Sequence, residues 1–304
     1  MRTVRIGTRS SPLALWQANE TSRLLARAGF GVEIIPIRTT GDLRRDVSLA
    51  AIGGKGLFVK ELEEALDRGE VDVAVHSLKD VPSIIPDRFE LLGFLERADP
   101  RDAWLQPHGV AIGDLPAGAV VATSAPRRRA QILERHPHLK VEAIRGNVET
   151  RIAHLEHHHF DGLVLARAGL VRLGRDGAIV RTFGVEEMIP AAGQGIVALE
   201  GLRTNALARE AAQTIDHGRS ALAARCERGV LQQFGVRLDC TSCVAVHADI
   251  DDGTITLRAF VSDGDGGSAV RVMERGSDAQ ALVVSVYRAL CDGGALSMLE
   301  RRIA

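Results

Sequence analysis

Two cysteines three residues apart are the first candidates for chemistry in this sequence. Cys240 and Cys243 lie in the stretch RLDCTSCVAVHA, directly before a run typical of a β-strand. Four cysteines in 304 residues are too few for a disulfide framework, so each is a buried apolar residue, a ligand or a nucleophile. A zinc site would need a second pair and a thioredoxin-type redox pair would open a helix, so the spacing favours neither.

A second reactive candidate is Asp80, in the stretch AVHSLKDVP. An apolar strand runs into His76, Ser77, Lys79 and Asp80, and Pro82 ends the strand. A carboxylate beside a cation in a cleft can donate a proton, accept one, or balance the charge of a cationic intermediate. The alternative is that Asp80 caps a turn while Lys79 is solvated.

Arginine makes up 34 of the 38 basic residues. Genome base composition can cause this bias, but three predicted strands end in arginines beside small polar residues. Free N–H groups at helix N-termini bind anions at such strand ends, and arginine pairs with both oxygens of a carboxylate. The pattern predicts a polyanionic ligand, bound by Arg9, Ser11, Thr123, Ser124, Arg127, Arg128, Arg145, Gly146 and Arg151.

Residues 40–56 show neither helical nor strand periodicity, and glycines surround Lys55. A loop of this length in a compact domain is usually a functional lid or disordered. Glycine would make such a loop flexible, so we predict a mobile loop, with a disordered loop of no function as the alternative.

His154 and His158 are spaced i, i+4, but no third ligand follows, so we predict no metal site.

The sequence predicts an α/β fold that would position these candidate residues. The first two hundred residues alternate β-branched runs with helical patterns, which predicts largely parallel sheets covered by helices. After residue 218, three strand-like runs joined by tight turns and flanked by helices predict a small α+β domain with a three-stranded antiparallel sheet. Residues 193–202 look like a segment that returns to the first domain. The predicted domains are 1–98 with 196–217, 99–195, and 218–304.

Composition narrows the class of protein. A net charge of −1 gives no reason to expect nucleic acid as a partner. No window approaches the roughly 18 apolar residues of a membrane span, so we expect no membrane partner. The start of the chain lacks the apolar run of a secretory signal, so we expect a cytoplasmic location.

Seven stretches, in this order, closely resemble the porphobilinogen deaminase (hydroxymethylbilane synthase) family: GTRSSPLALWQA, GGKGLFVKELE, VDVAVHSLKDVP, ATSAPRRRAQIL, IRGNVETRI, LARAGLVRLG and IPAAGQGIVALE. The resemblance runs from about residue 3 to the end and is dense through residue 200. It implies three domains, of which the first two resemble periplasmic binding proteins and hold the active site between them. It also implies a monomeric transferase that joins four porphobilinogen molecules and releases ammonia and hydroxymethylbilane, in tetrapyrrole (porphyrin and haem) biosynthesis.

The resemblance also implies a dipyrromethane cofactor, attached through a thioether to a cysteine of the third domain. Matching the downstream VAVHA places Cys240 at the anchor position, with Cys243 as the alternative. The family has two glycines before this cysteine, whereas this chain has Leu238 and Asp239.

The other roles implied by the resemblance fall on matching positions. Asp80 matches the aspartate that assists loss of ammonia and stabilises the cationic methylene-pyrrole intermediate. The cofactor-binding positions are Lys79, Asp80, Thr123, Ser124, Arg127, Arg128, Arg145 and Gly146. The substrate-binding positions are Arg9, Ser11, Lys55, Phe58, Arg145, Arg151 and Arg172.

A binding module competes with this reading, because a solute receptor can share the two-domain architecture. Such a receptor needs neither Asp80 in HSLKDVP nor a third domain with a cysteine. These two features favour the enzyme.

Overall fold

The computed structural model describes residues 2–39, 59–157, 160–235, 238, 242–264 and 266–300. Of the predicted site residues, Lys55, Phe58 and Cys240 lie outside the described residues, as does the predicted loop 40–56. The chain forms two compact units, Met1–Ala98 with Gly195–Ala224, and Asp99–Gln194 with Arg225–Ala304. The boundaries of the three predicted domains stay a prediction.

The described residues form short strands and helices in alternation along most of the chain. The strands are β1 (Thr3–Arg9), β2 (Gly31–Ile37), β3 (Val73–Ser77), β4 (Phe89–Phe94), β5 (Asp102–Leu105), β6 (Val120–Ala122), β7 (Lys140–Glu142), β8 (Gly162–Ala166), β9 (Arg181–Thr182), β10 (Val197–Leu202), β11 (Cys243–Asp251), β12 (Thr254–Ser262) and β13 (Ala269–Gly276). The helices are α1 (Pro12–Arg27), α2 (Lys60–Asp67), α3 (Pro126–Arg135), α4 (Val148–Glu156), α5 (Arg167–Arg172), α6 (Ala206–Thr214), α7 (Gly218–Phe234), α8 (Ala279–Asp292) and α9 (Ala295–Glu300).

The first unit is built on a five-stranded sheet with the order β2-β1-β3-β10-β4. β1 pairs in parallel with β2 and β3, whereas β10 is antiparallel to both β3 and β4. β10 thus brings residues 197–202 back into the sheet of the first unit. Val4, Ile6 and Val73 are completely buried and form part of a core with α1 and α6, because strands covered on both faces are apolar throughout.

The second unit contains another five-stranded sheet, with the order β7-β6-β8-β5-β9. β6 pairs in parallel with β7 and β8, whereas β5 is antiparallel to β8 and β9. Trp104 on β5 is fully buried, and its Nε1 donates a hydrogen bond of 2.9 Å to the Val110 carbonyl. Both large sheets are thus mixed rather than wholly parallel, because one strand in each runs back through the middle of the sheet.

The predicted three-stranded antiparallel sheet is confirmed, with the order β11-β12-β13 in the second unit. α8 packs against β12 and β13. Cys243, Ala245 and Phe260 of this sheet share an apolar cluster with Ala130 of α3 and with Ile189.

Among the described residues, none of the helices has the length and apolar character that a membrane span requires.

Candidate active site

Two predicted site residues of the first unit lie where β1 passes into α1. Arg9 ends β1, and Ser11 caps α1 by accepting a hydrogen bond of 3.3 Å from the Ala14 backbone N–H. Pro12 occupies the first turn, where its missing N–H costs nothing. This local sequence fixes where the helix begins and holds the polar residues at the carboxyl end of the strand.

Asp80 lies in a 3₁₀ turn, Leu78–Asp80, that continues directly from β3. Leu78 anchors the turn: its side chain is 1% exposed, and its N–H donates a hydrogen bond of 3.0 Å to the Ile196 carbonyl. Lys79 and Asp80 are exposed. A buried anchor therefore presents the adjacent carboxylate at a defined place beyond the strand.

A small pocket of about 60 Å³ brings together Arg9, Ser11 and Asp80, whereas Lys79 is not among its lining residues. We call it the Asp80 pocket, and it is lined by Arg9, Ser11, Leu13, Ala14, Gln17, Val59, Val75, His76, Ser77 and Asp80. Because β1 and β3 are parallel, their carboxyl ends meet at one edge of the sheet, which explains this convergence.

Gln17 is a site residue that the sequence analysis missed. It is 1% exposed, and its Nε2 donates a hydrogen bond of 2.7 Å to Ser77 Oγ in the wall of the Asp80 pocket. Gln17 lies on the buried face of α1 with Ala14, Ala18 and Thr21. A glutamine on the apolar stripe of an amphipathic helix is the sequence signal that could have identified it.

In the second unit, the end of β6 and the start of α3 carry Thr123, Ser124, Arg127 and Arg128. Both arginines are 4% exposed and are bound by Asp102, whose side chain is completely buried. Arg127 Nη1 lies 2.7 Å from Asp102 Oδ2, and Arg128 Nη2 lies 2.8 Å from Oδ1. The two guanidinium groups are therefore already paired inside the protein.

Gln194 completes this buried cluster and was also missed. Its Nε2 donates to Asp102 Oδ1 at 2.8 Å and to the Pro100 carbonyl at 2.6 Å, while its Oε1 accepts from Arg127 at 3.1 Å. No local pattern marks Asp102 or Gln194, because their partners come from distant parts of the sequence. The sequence analysis predicted Arg127 and Arg128 at a strand end but could not show that an internal carboxylate binds both.

The electrostatics of the cluster follow from its burial. Burial alone would raise the pKa of Asp102, but the positive charges of Arg127 and Arg128 hold it well below its usual range. Burial lowers the pKa of Arg128 to about 10, so this guanidinium remains charged at neutral pH. The two guanidinium groups and the one carboxylate give the cluster a net positive charge. This charge would attract a bound anion.

Ser124 and Arg151 meet beyond the same sheet edge. Arg151 Nη1 donates to Ser124 Oγ and its Nε to the Gly146 carbonyl, both at 2.8 Å. Gly146 has φ +98°, and a Cβ there would lie 2.8 Å from Thr150 Cβ, so the turn requires glycine. Asn147 then caps α4 by accepting a hydrogen bond of 2.9 Å from the Thr150 N–H.

The remaining predicted residues of this unit lie on nearby elements. Arg145 is exposed and follows β7, and Arg172 ends α5, which follows β8. Burial lowers the pKa of Arg172 to about 10, which leaves it charged. Since β6, β7 and β8 are parallel, the segments that follow them all begin at one edge of the sheet.

The described cysteines differ in environment. Cys243 opens β11 and is fully buried in the apolar cluster with Ala130 and Phe260. Cys226 on α7 is buried, and burial together with the neighbouring Glu227 raises its pKa to about 11. Cys291 on α8 is partly exposed.

Within the described ranges, no group of three or more metal-binding side chains comes together.

Comparison with known proteins assigns the family. A sequence model described as "Porphobilinogen deaminase, dipyromethane cofactor binding domain" matches residues 4–210. The chain is 42% identical over 300 residues to a porphobilinogen deaminase of Acidithiobacillus ferrooxidans, covering 98% of this chain and 97% of that one. This chain belongs to the porphobilinogen deaminase family. Another member, from Geobacter sulfurreducens, is 42% identical over 299 residues, covering 97% of this chain and 93% of its own.

The solved structures that resemble this chain include two binding proteins. The methionine-binding protein MetQ aligns with a TM-score of 0.45 at 11% identity, covering 70% of this chain and 89% of its own. A periplasmic substrate-binding protein of an ABC transporter from Coxiella burnetii aligns with a TM-score of 0.45 at 15% identity, covering 74% and 96%.

Proposed function

We propose that this chain catalyses the reaction of its family, in which four porphobilinogen molecules are joined head to tail and one water is added to give hydroxymethylbilane, with loss of four ammonia molecules. The observation that carries the proposal is the Asp80 pocket, where one carboxylate lies beside Arg9 and Ser11. Porphobilinogen is a pyrrole with two carboxylates and an aminomethyl group. A site for it therefore needs cations for the carboxylates and an anion near the carbon that loses ammonia.

Asp80 is the proposed catalytic residue. When the C–N bond of the protonated aminomethyl group breaks, the bonding electron pair leaves with ammonia, and positive charge remains on the methylene carbon and its pyrrole ring. A carboxylate held close to this charge lowers the barrier, because it stabilises the transition state more than the substrate. Asp80 is exposed on a turn whose backbone is anchored by buried Leu78. Its carboxylate can therefore contact a bound ring while the turn stays in place.

The second unit offers the donors that a dipyrromethane cofactor requires. This group carries four carboxylates, and Arg145, Arg151, Thr123, Ser124 and the net positive cluster around Asp102 supply cations and hydroxyl groups. The chemistry of this donor set fits the group. When bound, dipyrromethane supplies the pyrrole carbon to which the first porphobilinogen unit is joined. Lys79, Arg127, Arg128 and Gly146 complete the proposed cofactor contacts, and Lys55, Phe58 and Arg172 the substrate contacts.

We propose Cys240 as the anchor. A thiol must reach solvent as its thiolate to form a thioether, whereas Cys243 is fully buried among apolar side chains. The proposal also includes the division into three domains, a monomeric chain, a cytoplasmic location and the identity of the transferase as hydroxymethylbilane synthase. These parts rest on the sequence and its resemblance to the family.

The test is the intact mass of the purified chain under denaturing conditions, followed by peptide mapping. We expect an excess equal to two porphobilinogen units less two ammonia molecules, located on Cys240. Incubation with porphobilinogen should then release hydroxymethylbilane. An unmodified chain that also fails to turn over porphobilinogen would reject the proposal and favour a solute receptor.

A further inference from the structure

A buried acid lies behind the Asp80 pocket and has no role in the function described so far. Glu200 on β10 is completely buried, and within the described residues neither of its carboxylate oxygens makes a well-aligned hydrogen bond, although Oε2 lies within ion-pair distance of His76 Nε2. Burying a carboxylate without hydrogen bonds is unfavourable, and a neutral side chain of similar size would serve the packing better. Such a group calls for a functional explanation.

Glu200 lies beside the imidazole of His76. Glu200 Oε2 lies 3.0 Å from His76 Nε2, and the two side chains are 0% and 4% exposed. Antiparallel pairing sets Ala198 opposite His76 and Glu200 opposite Ala74, so Glu200 and His76 are diagonal neighbours on one face of the sheet. The pairing of β10 with β4 also shifts register between Leu199 and Glu200, an irregularity that can redirect a side chain.

His76 connects this buried acid to the site. His76 is among the residues that line the Asp80 pocket, four residues before Asp80 on the same strand and turn, whereas Glu200 is not. His76 thus belongs to the pocket wall, and its Nε2 lies beside Glu200. His76 is therefore a residue that both contacts Glu200 and belongs to the pocket.

Glu63 on α2 is sensitive to the same charge. Its pKa is raised to about 7, chiefly by burial and then by the negative charge of Glu200, while His76 and Arg88 oppose the rise. The region behind the pocket thus holds interacting titratable groups from three elements, as functional sites commonly do.

We propose that Glu200 is a positioning residue for the deaminase reaction and acts through His76, whose imidazole it holds in place as part of the pocket that contains Asp80. This inference rests on the proposed role of Asp80 in the reaction. With Glu200 in place, the imidazole keeps one orientation and one wall of the pocket stays fixed against the reacting ring. Without it, the imidazole can turn, and small displacements in a reacting geometry cost large factors in rate.

The test is a double-mutant cycle with Glu200→Gln and His76→Asn, measured as kcat and KM for porphobilinogen per chain that carries the cofactor by mass spectrometry. We expect E200Q to lower kcat by about 10- to 100-fold and to leave KM within about twofold, with no fall in the unfolding midpoint because a buried charge is removed. H76N should lower kcat comparably. The double variant should be no slower than the slower single variant, because both changes remove one interaction.

Glu90→Gln is the matched control. Glu90 lies on the adjacent strand β4, opposite Gly201, and its carboxylate is 33% exposed and paired with Arg209. This variant should retain the wild-type kcat. Unchanged kcat in E200Q, or losses that multiply in the double variant, would overturn the inference. If E200Q does not fold, H76N alone decides, because wild-type kcat in that variant is incompatible with action through His76.

The outcomes also separate this inference from the proposed function. If the wild-type chain does not turn over porphobilinogen, the proposed function fails and the inference fails with it. If the wild type is active, Asp80→Asn is inactive and E200Q is fully active, only the role of Glu200 is rejected.

Discussion

The replacement Asp102→Asn tests whether the buried cluster of the second unit is held by one carboxylate. Asn is nearly the same shape as Asp but removes the negative charge between Arg127 and Arg128. It also replaces Oδ2, which accepts from Arg127 Nη1 at 2.7 Å, with an NH₂ group that would face a guanidinium donor. Either orientation of the amide leaves a buried donor opposite a donor.

The expected loss follows from burial. Removing one partner of a buried ion pair costs about 3–5 kcal/mol, because the remaining charge stays buried without compensation. Asp102 is 0% exposed and both arginines are 4% exposed, so water cannot take its place. At about 2–4 °C per kcal/mol for chains of this order of size, the midpoint of thermal unfolding should fall by roughly 6–20 °C.

Asp99→Asn is the matched control, three residues earlier in the same unit. Asp99 also contacts two arginines, Arg101 at 2.7 Å and Arg167 at 3.0 Å, but its side chain is 25% exposed and the arginines are more exposed still. Ion pairs open to solvent contribute at most about 1 kcal/mol. A fall in the D102N midpoint no larger than that of D99N would refute the argument from burial.

The pH dependence of the same pair of proteins gives a second test. The folded-state pKa of Asp102 lies well below its unfolded value of about 3.9, so its contribution to stability is complete above that value and is lost as the pH falls. The difference between wild type and D102N, measured by urea unfolding, should therefore be full at pH 7 and should narrow below about pH 4. A constant difference across this range would contradict the assigned ionisation.

The remaining predictions concern turnover, packing and a raised pKa. Asp80→Asn should keep the folded structure and the cofactor mass while lowering kcat by about 10²- to 10⁴-fold; wild-type kcat would remove Asp80 from the mechanism. Gly162→Ala should lose about 1–3 kcal/mol in urea unfolding, because its Cβ would overlap the Trp104 ring. Gly177→Ala, with no atom within 4 Å of its Cβ, should change the free energy of unfolding little. Equal losses in the two variants would refute the clash. Because the folded-state pKa of Glu63 is raised from 4.5 to about 7, its contribution to stability is present at low pH and is lost as the pH rises through this range. Glu63→Gln should accordingly unfold at higher urea than wild type at pH 8 but not at pH 4, and an identical difference at both pH values would show that the burial of Glu63 does not shift its pKa.

Local features of the sequence determined where several helices and strands lie. The serine before Pro12 and the asparagine at 147 are helix caps, and both are found at helix starts in the structure. Tight turns between three strand-like runs predicted the antiparallel sheet β11-β12-β13 correctly. The position of Asp80 just beyond a buried strand could also be inferred, because strand periodicity and Pro82 are encoded by neighbouring residues.

Only the tertiary structure decided which distant residues meet. The antiparallel return of β10 brings Glu200 to His76, and the antiparallel strand β5 carries Asp102 to Arg127 and Arg128. Capping and periodicity act over a few residues and carry no information about such contacts. A strand's neighbours are set by how the whole sheet buries its apolar faces, so the paired state of these side chains could be known only once the chain was folded.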